Sequence, residues 1–394
     1  MFGWEYPPLH SGGLGVACQG LVRGLVQAGV HITLVLPQAG VEGEENVEVL
    51  SPELCSILRV RSHLRPYETP ERYAARLQGS PASATEELYG WDLGDAVESF
   101  ASLSVELTKH TNPDVIHCHD WMTFEAGIRA SRHHHVPIVM HIHATEFDRT
   151  DFHPNEWIAQ HERNGLLLAD KVIAVSNYTK RLLVAHYGIP EHKIAVVHNA
   201  HDPCLCSHTQ IVSQRGVRRP PIVLFLGRLT IQKNPWQFLE VAHRVHQLRP
   251  DVQFVMAGDG PMLSELIERA IELGLHDCVV FTGKIQHDEV HALYRLASCF
   301  VMPSLSEPFG LVALEAIAHG TPVVLSKQSG ASEVLTHCFK VDFWDTEKMS
   351  DCILTILRDP PLAEQLRSEA PRILKRLTWQ TQATRVHALY ESLL

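Results

Sequence analysis

The sequence predicts an α/β protein built from two doubly wound, Rossmann-like parallel-sheet domains in tandem, and three observations carry that prediction. Short apolar runs of strand length alternate with amphipathic stretches of helical period along most of the chain. The alternation breaks once, at a polar stretch with Pro203, Cys204, Cys206 and Pro220-Pro221, and then restarts. The length, 394 residues, suffices for two cores of ordinary size. The expected organisation is a first domain over 1–203, a linker over 204–221, a second domain over 222–377, and a closing helix over 378–394 that packs back on the first domain.

In chain order, the opening residues and the glycine turn Gly12-Gly13 lead into an amphipathic helix and then a strand from His31, the start of a βαβ unit. Residues 40–90 read poorly, with surface loops expected around 42–48 and 79–83. A helix is expected over 91–110. Strands then end in polar residues three times: at His119-Asp120-Trp121, at His143-Ala-Thr-Glu146 and at Ser176-Asn177. Ligands of parallel sheets collect at the carboxyl ends of strands, so these clusters are expected to converge on one crevice. After the linker, strands are expected at 222–226, 253–257, 279–282 and 297–302, with Gly227-Arg228, Gly258-Asp-Gly260, Gly283-Lys-Ile285 and Pro303-Ser304 at their ends.

Composition narrows the partners. The net charge is −11, from 34 basic and 45 acidic residues, so the chain offers no general field for polyanions and nucleic acid is not expected. Nine cysteines show neither a paired framework nor a zinc spacing, which suits a reducing cytoplasm. No signal peptide is visible, and no apolar run approaches the roughly 18 to 20 residues that span a bilayer. No cofactor is implied. The glycines at 12, 13 and 15 lack the spacing of a dinucleotide fingerprint.

The stretch Pro303 to Pro322 carries the sharpest chemistry. A helix is expected to start at Pro308, whose missing N–H suits a first helical position, and to stop at Gly320. Glu307 then sits at the helix mouth and Glu315 about two turns along it. Two carboxylates at different depths suit a ligand rich in hydroxyls, although a helix cap and a solvent-facing side chain would explain them as well. Arg228 and Lys233, five apart after an apolar strand, can supply two cations to a diphosphate from one turn. His117-x-His119 and His141-x-His143 each put two imidazoles on one strand face, but no closed set of four ligands is evident and no metal is expected. His133 to His135 reads as a helix end.

Glu307 and Glu315, in Ser-Glu-Pro-Phe-Gly-Leu-Val-Ala-Leu-Glu-Ala, resemble the Glu-x7-Glu motif of the retaining glycosyltransferases of family 4. Gly-Arg-Leu-Thr-x-Gln-Lys-Asn resembles the same family's phosphate clamp, and His-x-His-Asp-Trp, Ser-Gly-Gly-Leu-Gly and His-Ala-Thr-Glu-Phe-Asp-Arg resemble its glycogen- or starch-synthase-like members. The resemblance implies two domains in a GT-B arrangement that close over a sugar nucleotide. It implies that Glu307 and His143 meet the donor sugar, that Glu315 meets the ribose, and that Arg228 and Lys233 hold the phosphates. Gly12 and Gly13 would lie beside the diphosphate, Ile285 at the base, and Phe309 and Gly310 at sugar hydroxyls, with Leu311 also among the donor-binding residues. Asp120, Glu146 and Asn177 are expected on the acceptor side. The expected partners are UDP- or ADP-glucose and a sugar or α-glucan acceptor, with the oligomeric state left open. Two alternatives stand beside this reading: a nucleotide-sugar epimerase and a non-catalytic sugar-nucleotide sensor. Related chains carry more apolar residues before the equivalent of Phe2, so a truncated or late start is expected.

Overall fold

The computed structural model describes residues 1–7, 12–38, 55–61, 93–201 and 219–394. The loops expected around 42–48 and 79–83, and most of the expected linker, lie outside the described residues. The chain divides into two compact units, the first made of Met1–Phe147, His153–Ala200 and Thr378–Leu394, the second of Asp148–Phe152 and His201–Leu377.

The first unit contains strands β1 (Ile32–Gln38), β2 (Cys55–Arg61), β3 (Ile116–His119), β4 (Ile138–Ile142), β5 (Lys171–Ala174) and β6 (Ile194–Val196). All pair in parallel, as a β1-β2 ladder and a β3-β4-β5-β6 ladder. Phe2 joins the two by bridging Val35 and Cys118. Its N–H donates to the His117 carbonyl at 2.8 Å, and its own carbonyl accepts from the His119 N–H at 2.9 Å. Three residues thus fill the central strand slot, because a chain flanked on both sides satisfies its backbone groups without length. The strand order reverses beside this slot, with β1 on one side and β3 on the other, which makes it the switch point of the sheet.

The helix Gly13–Gln27 follows that central segment, and the helix Trp379–Glu391 lies against it within the same unit. Gly20 and Gly24 make the approach possible. A Cβ on Gly20 would fall 2.1 Å from the Trp379 ring, and one on Gly24 2.6 Å from the Trp379 carbonyl oxygen. Val386 and Tyr390 complete this layer against Leu21, Val22 and Leu25. The helix expected over 91–110 is found as Leu93–Thr108.

The second unit is a single six-stranded parallel sheet of β7 (Ile222–Leu226), β8 (Gln253–Ala257), β9 (Val279–Gly283), β10 (Cys299–Met302), β11 (Val323–Ser326) and β12 (Phe339–Val341). Its order is β12-β11-β10-β7-β8-β9, so the switch point lies between β7 and β10. The loop after β7 carries Arg228 and Lys233, and the loop after β10 carries Glu307.

One element boundary differs from the sequence expectation. The helix after Glu307 runs over Leu311–Ala318 rather than starting at Pro308. Glu307 instead bridges Ser329, its carbonyl accepts from the Gly330 N–H at 3.0 Å, and the Phe309 carbonyl accepts from the Ala331 N–H at 2.6 Å. Residues 307–309 are therefore tied to the neighbouring loop. Gly310, at φ 103°, turns the chain into the helix from a left-handed conformation that a side chain would strain.

Candidate active site

In the second unit the turn after β7 is set by backbone contact. A Cβ on Gly258 would lie 1.9 Å from the Gly227 carbonyl oxygen, and one on Gly260 2.5 Å from that of Leu229. The Leu229 N–H donates to the Asp259 carbonyl at 2.9 Å. Only side-chain-free residues allow the loop after β8 to brace the cationic turn this closely. On its other side the turn is zipped to the loop after β10. The Leu305 N–H donates to the Gln232 carbonyl at 3.0 Å, Gln232 Nε2 to the Ser306 carbonyl at 3.1 Å, and Asn234 Nδ2 to the Pro303 carbonyl at 3.1 Å.

These contacts bring Lys233 and Glu307 together. Lys233 Nζ lies 2.5 Å from Glu307 Oε2, with side-chain exposures of 19% and 7%. The Ser304 hydroxyl donates to the same oxygen at 3.0 Å. Both bonds fall on Oε2, which leaves Oε1 as the acceptor for an incoming hydroxyl. Arg228 is half-buried at the base of the same turn.

Glu315 stands on the second turn of its helix and accepts from the Tyr294 hydroxyl at 2.9 Å. Tyr294 is fully buried, and burial together with the Glu315 charge pushes its hydroxyl well above the ordinary tyrosine range. The phenol therefore stays a donor and fixes the carboxylate. Phe309 is buried beside Gly310, Leu311 opens the helix half-buried, and Ile285 is half-buried after β9.

In the first unit Gly12 is the extended N-cap of the helix Gly13–Gln27, which has no side-chain cap and no acidic residue in its first turn. A Cβ on Gly12 would meet no atom within 4 Å, so the exposed helix start presents bare amides, a setting that favours anions. Asp120 is 2% exposed and has φ 59°, a left-handed value for a non-glycine residue, and its Oδ1 accepts from the His143 N–H at 2.7 Å. Asp120 and His143 are thus brought together. Glu146 is fully buried, and its carboxylate faces the Asn155 N–H at 3.3 Å. Asn177 is exposed at the start of the helix Asn177–Tyr187, whose N-cap is Ser176.

The two histidine pairs also meet. His119 Nδ1 lies 2.9 Å from His143 Nε2, His117 Nε2 lies 3.2 Å from His141 Nδ1, and His117 Nδ1 contacts the Tyr390 hydroxyl. Burial holds His143 down to about 3 and keeps the other three well below the ordinary histidine range, their neighbours adding to the effect. All four rings are therefore neutral at physiological pH. Separate strand motifs could not disclose this gathering, which depends on His119 standing opposite His141 in register.

Sequence reasoning missed the residues that support the site. The glycines after β8 were visible as a turn, but their bracing role needs the neighbouring loop. Tyr294 carries no local signal, and Ser304, Gln232 and Asn234 stand in the quoted stretches without a role that the sequence assigns.

The fold and these residues define a class. Residues 11–205 match the family described as Glycosyltransferase Family 4, and residues 209–373 match Glycosyl transferases group 1. The chain belongs to these family-4, group-1 glycosyltransferases, enzymes that transfer a sugar from a nucleotide sugar. It is 29% identical to an uncharacterised glycosyltransferase of Methanocaldococcus jannaschii, covering 99% of this chain and 97% of that one. To a glycogen synthase of Mycobacterium tuberculosis it is 28% identical, covering 99% and 93%. Among solved structures, sucrose-phosphate synthase from Thermosynechococcus elongatus superposes with a TM-score of 0.77 at 21% identity, covering 97% and 94%. Anabaena HepE in complex with UDP-glucose superposes with 0.72 at 19%, covering 100% and 98%. These structural likenesses establish the two-domain GT-B fold class. No helix among the described residues is long and apolar enough to cross a membrane.

Proposed function

We propose that the protein is a retaining hexosyltransferase that moves a glucosyl group from UDP- or ADP-glucose to a sugar or α-glucan acceptor. The observation that carries this reading is the Lys233–Glu307 pair at the switch point of the second sheet, with the second carboxylate oxygen open. A cation and a carboxylate side by side suit a ligand that bears phosphate next to a polyol. The phosphate takes over Lys233, and the sugar hydroxyls donate to Glu307. Arg228 adds a second positive group for the leaving diphosphate. The glycogen synthase relative and the sugar-nucleotide complex of HepE support a glucosyl donor.

In the same reading Glu315, steadied by Tyr294, receives the ribose hydroxyls. Ile285 lies at the base, and the backbone of Phe309, Gly310 and Leu311 lies at the sugar. Within the first unit, Gly12 and Gly13 offer amides to phosphate and His143 meets the sugar. Asn177, being exposed, faces the acceptor, while buried Asp120 and Glu146 hold the backbone around it. The acceptor hydroxyl attacks the face that the diphosphate leaves, the departing phosphate helps remove its proton, and Arg228 and Lys233 stabilise the growing charge. Covalent trapping of a glycosyl group on a carboxylate would overturn this step. The cytoplasm is the proposed setting, where the six described free cysteines, five of them buried, remain thiols.

The test is to incubate the chain with a panel of sugar nucleotides, with and without glucan primers, and to measure released nucleoside diphosphate. Acceptor-dependent release with a glucosyl donor is expected, and it should be abolished in Glu307→Ala and in Arg228→Ala. An epimerase would release none, and a sensor would bind donor without turnover. Unchanged turnover in either variant refutes the assigned roles.

A further inference from the structure

We propose that the buried histidines of the first unit form a binding site for one divalent transition-metal ion of the zinc class, held by ring nitrogens of His117, His119 and His141 with His143 beside them. His117 and His119 project from one face of β3, and His141 projects from the facing register position of β4. The three rings are 2%, 0% and 3% exposed, and one ligand nitrogen from each lies within 4.8 Å of the other two.

Two features point to a cation rather than to ordinary packing. The first is spacing. The His117–His141 nitrogen pair, at 3.2 Å, matches the separation of two ligands on one ion, about 2.9–3.4 Å when each bond is about 2.0–2.1 Å. The second is proton bookkeeping. A neutral imidazole has one N–H and one lone pair. When His119 Nδ1 and His143 Nε2 share one proton, one of their outer nitrogens carries an N–H and the other an unused lone pair. Those outer atoms, His119 Nε2 and His143 Nδ1, are both buried without a hydrogen-bond partner, and so is His141 Nε2. The fold therefore keeps at least one imidazole lone pair away from water with nothing to accept, a costly arrangement for a purely structural cluster.

A metal ion is the partner that uses lone pairs without bringing a proton. An all-imidazole set selects zinc, cobalt, nickel or copper over magnesium or calcium, which take oxygen ligands. The Tyr390 hydroxyl, bonded to His117 Nδ1, would orient that ring from outside the ligand set, so the ion would tie β3 and β4 to the helix Trp379–Glu391. This inference does not depend on the glycosyl donor or acceptor.

The test uses the full chain without an affinity tag, stripped with a chelator and titrated with Zn²⁺ and with Co²⁺. Metal is counted after gel filtration, and the Co²⁺ complex is followed by its visible absorption. About one ion per chain is expected to be retained. Retention should be lost in His119→Gln/His141→Gln, with metal-free circular dichroism unchanged, and kept in His133→Ala/His134→Ala/His135→Ala, which removes the run at a helix end. No retained ion, retention by the first variant, or loss in the second overturns the proposal. If the first variant does not fold, X-ray absorption of the Zn²⁺-loaded unmodified chain decides. Three or more imidazole nitrogens in the shell support the site, and an oxygen-rich shell overturns it.

Discussion

Lys233 and Glu307 neutralise each other at 2.5 Å with little water around them, so each is the other's main support in the ligand-free chain. Removing one partner of such a pair leaves the other charge stranded, and partial exposure moderates the cost to roughly 1–3 kcal/mol. Lys233→Met and Glu307→Gln are each expected to lower unfolding free energy by that amount in denaturant titrations. The double variant should lose less than the sum, and strict additivity would show that the pair is not coupled. The same variants should lose about 100-fold or more in turnover, because the groups that stabilise the ligand-free turn are those proposed to receive the donor. Arg228 and Lys233 were legible as residues, since cations five apart after an apolar run mark a strand-to-helix turn. That Lys233 rather than Arg228 meets the carboxylate was not legible, because the hydrogen bonds of Gln232 and Asn234 to the loop after β10 decide it.

At the scale of elements, the helices Gly13–Gln27 and Trp379–Glu391 approach each other closely at Gly20 and Gly24, beside the apolar layer of Leu21, Val22, Leu25, Val386 and Tyr390. A methyl group on Gly24 would lie 2.6 Å from the Trp379 carbonyl oxygen and 2.8 Å from the Ala383 Cβ. The backbone there cannot yield without lifting the last helix. Gly24→Ala is therefore expected to cost about 1–3 kcal/mol and to speed proteolysis of the C-terminal helix. Gly12→Ala meets no protein atom within 4 Å, so it should leave stability within a few tenths of a kcal/mol to about 1 kcal/mol of the parent. Any loss of donor affinity in Gly12→Ala then reports on the anion site itself. A thermal melt of both variants checks the contrast. The strands Ile222–Leu226 and Gln253–Ala257 were legible to their ends, because continuous apolar runs bounded by polar turns match a strand buried on both faces. β11 and β12 were not recognised, since runs of three or four residues do not separate from loop or helix by pattern alone.

For the whole molecule, the neutral histidines make stability depend on pH. Their folded-state proton affinity lies below that of the unfolded chain, with His143 held down to about 3. The unfolded chain therefore binds more protons below about pH 6.5, and the stabilisation present above that pH is lost as acid is added toward the folded-state values. Each such histidine is expected to cost about 1.4 kcal/mol per pH unit in that window. Thermal unfolding of the chelator-treated chain from pH 7 to pH 4 checks this. His117→Phe, which removes one of the titrating rings, should shallow the slope.

By itself the amino-acid sequence determined the alternation of strand and helix, the two α/β units, and the residue types at the strand ends, because period and polarity are local properties of the chain. Its motifs also pointed to the family that the comparisons bear out. The tertiary structure alone decided which of those residues touch. Three opening residues occupy the central slot of the first sheet, because β1 and β3 lie on either side to receive their hydrogen bonds. Lys233 pairs with Glu307 because the sheet order sets β7 beside β10, and three buried histidines of β3 and β4 gather with the half-buried His143 just past β4 because the two strands pair in that register. Contacts of this kind join positions far apart in the chain, and pairing register and loop bracing, which no local pattern encodes, bring them together.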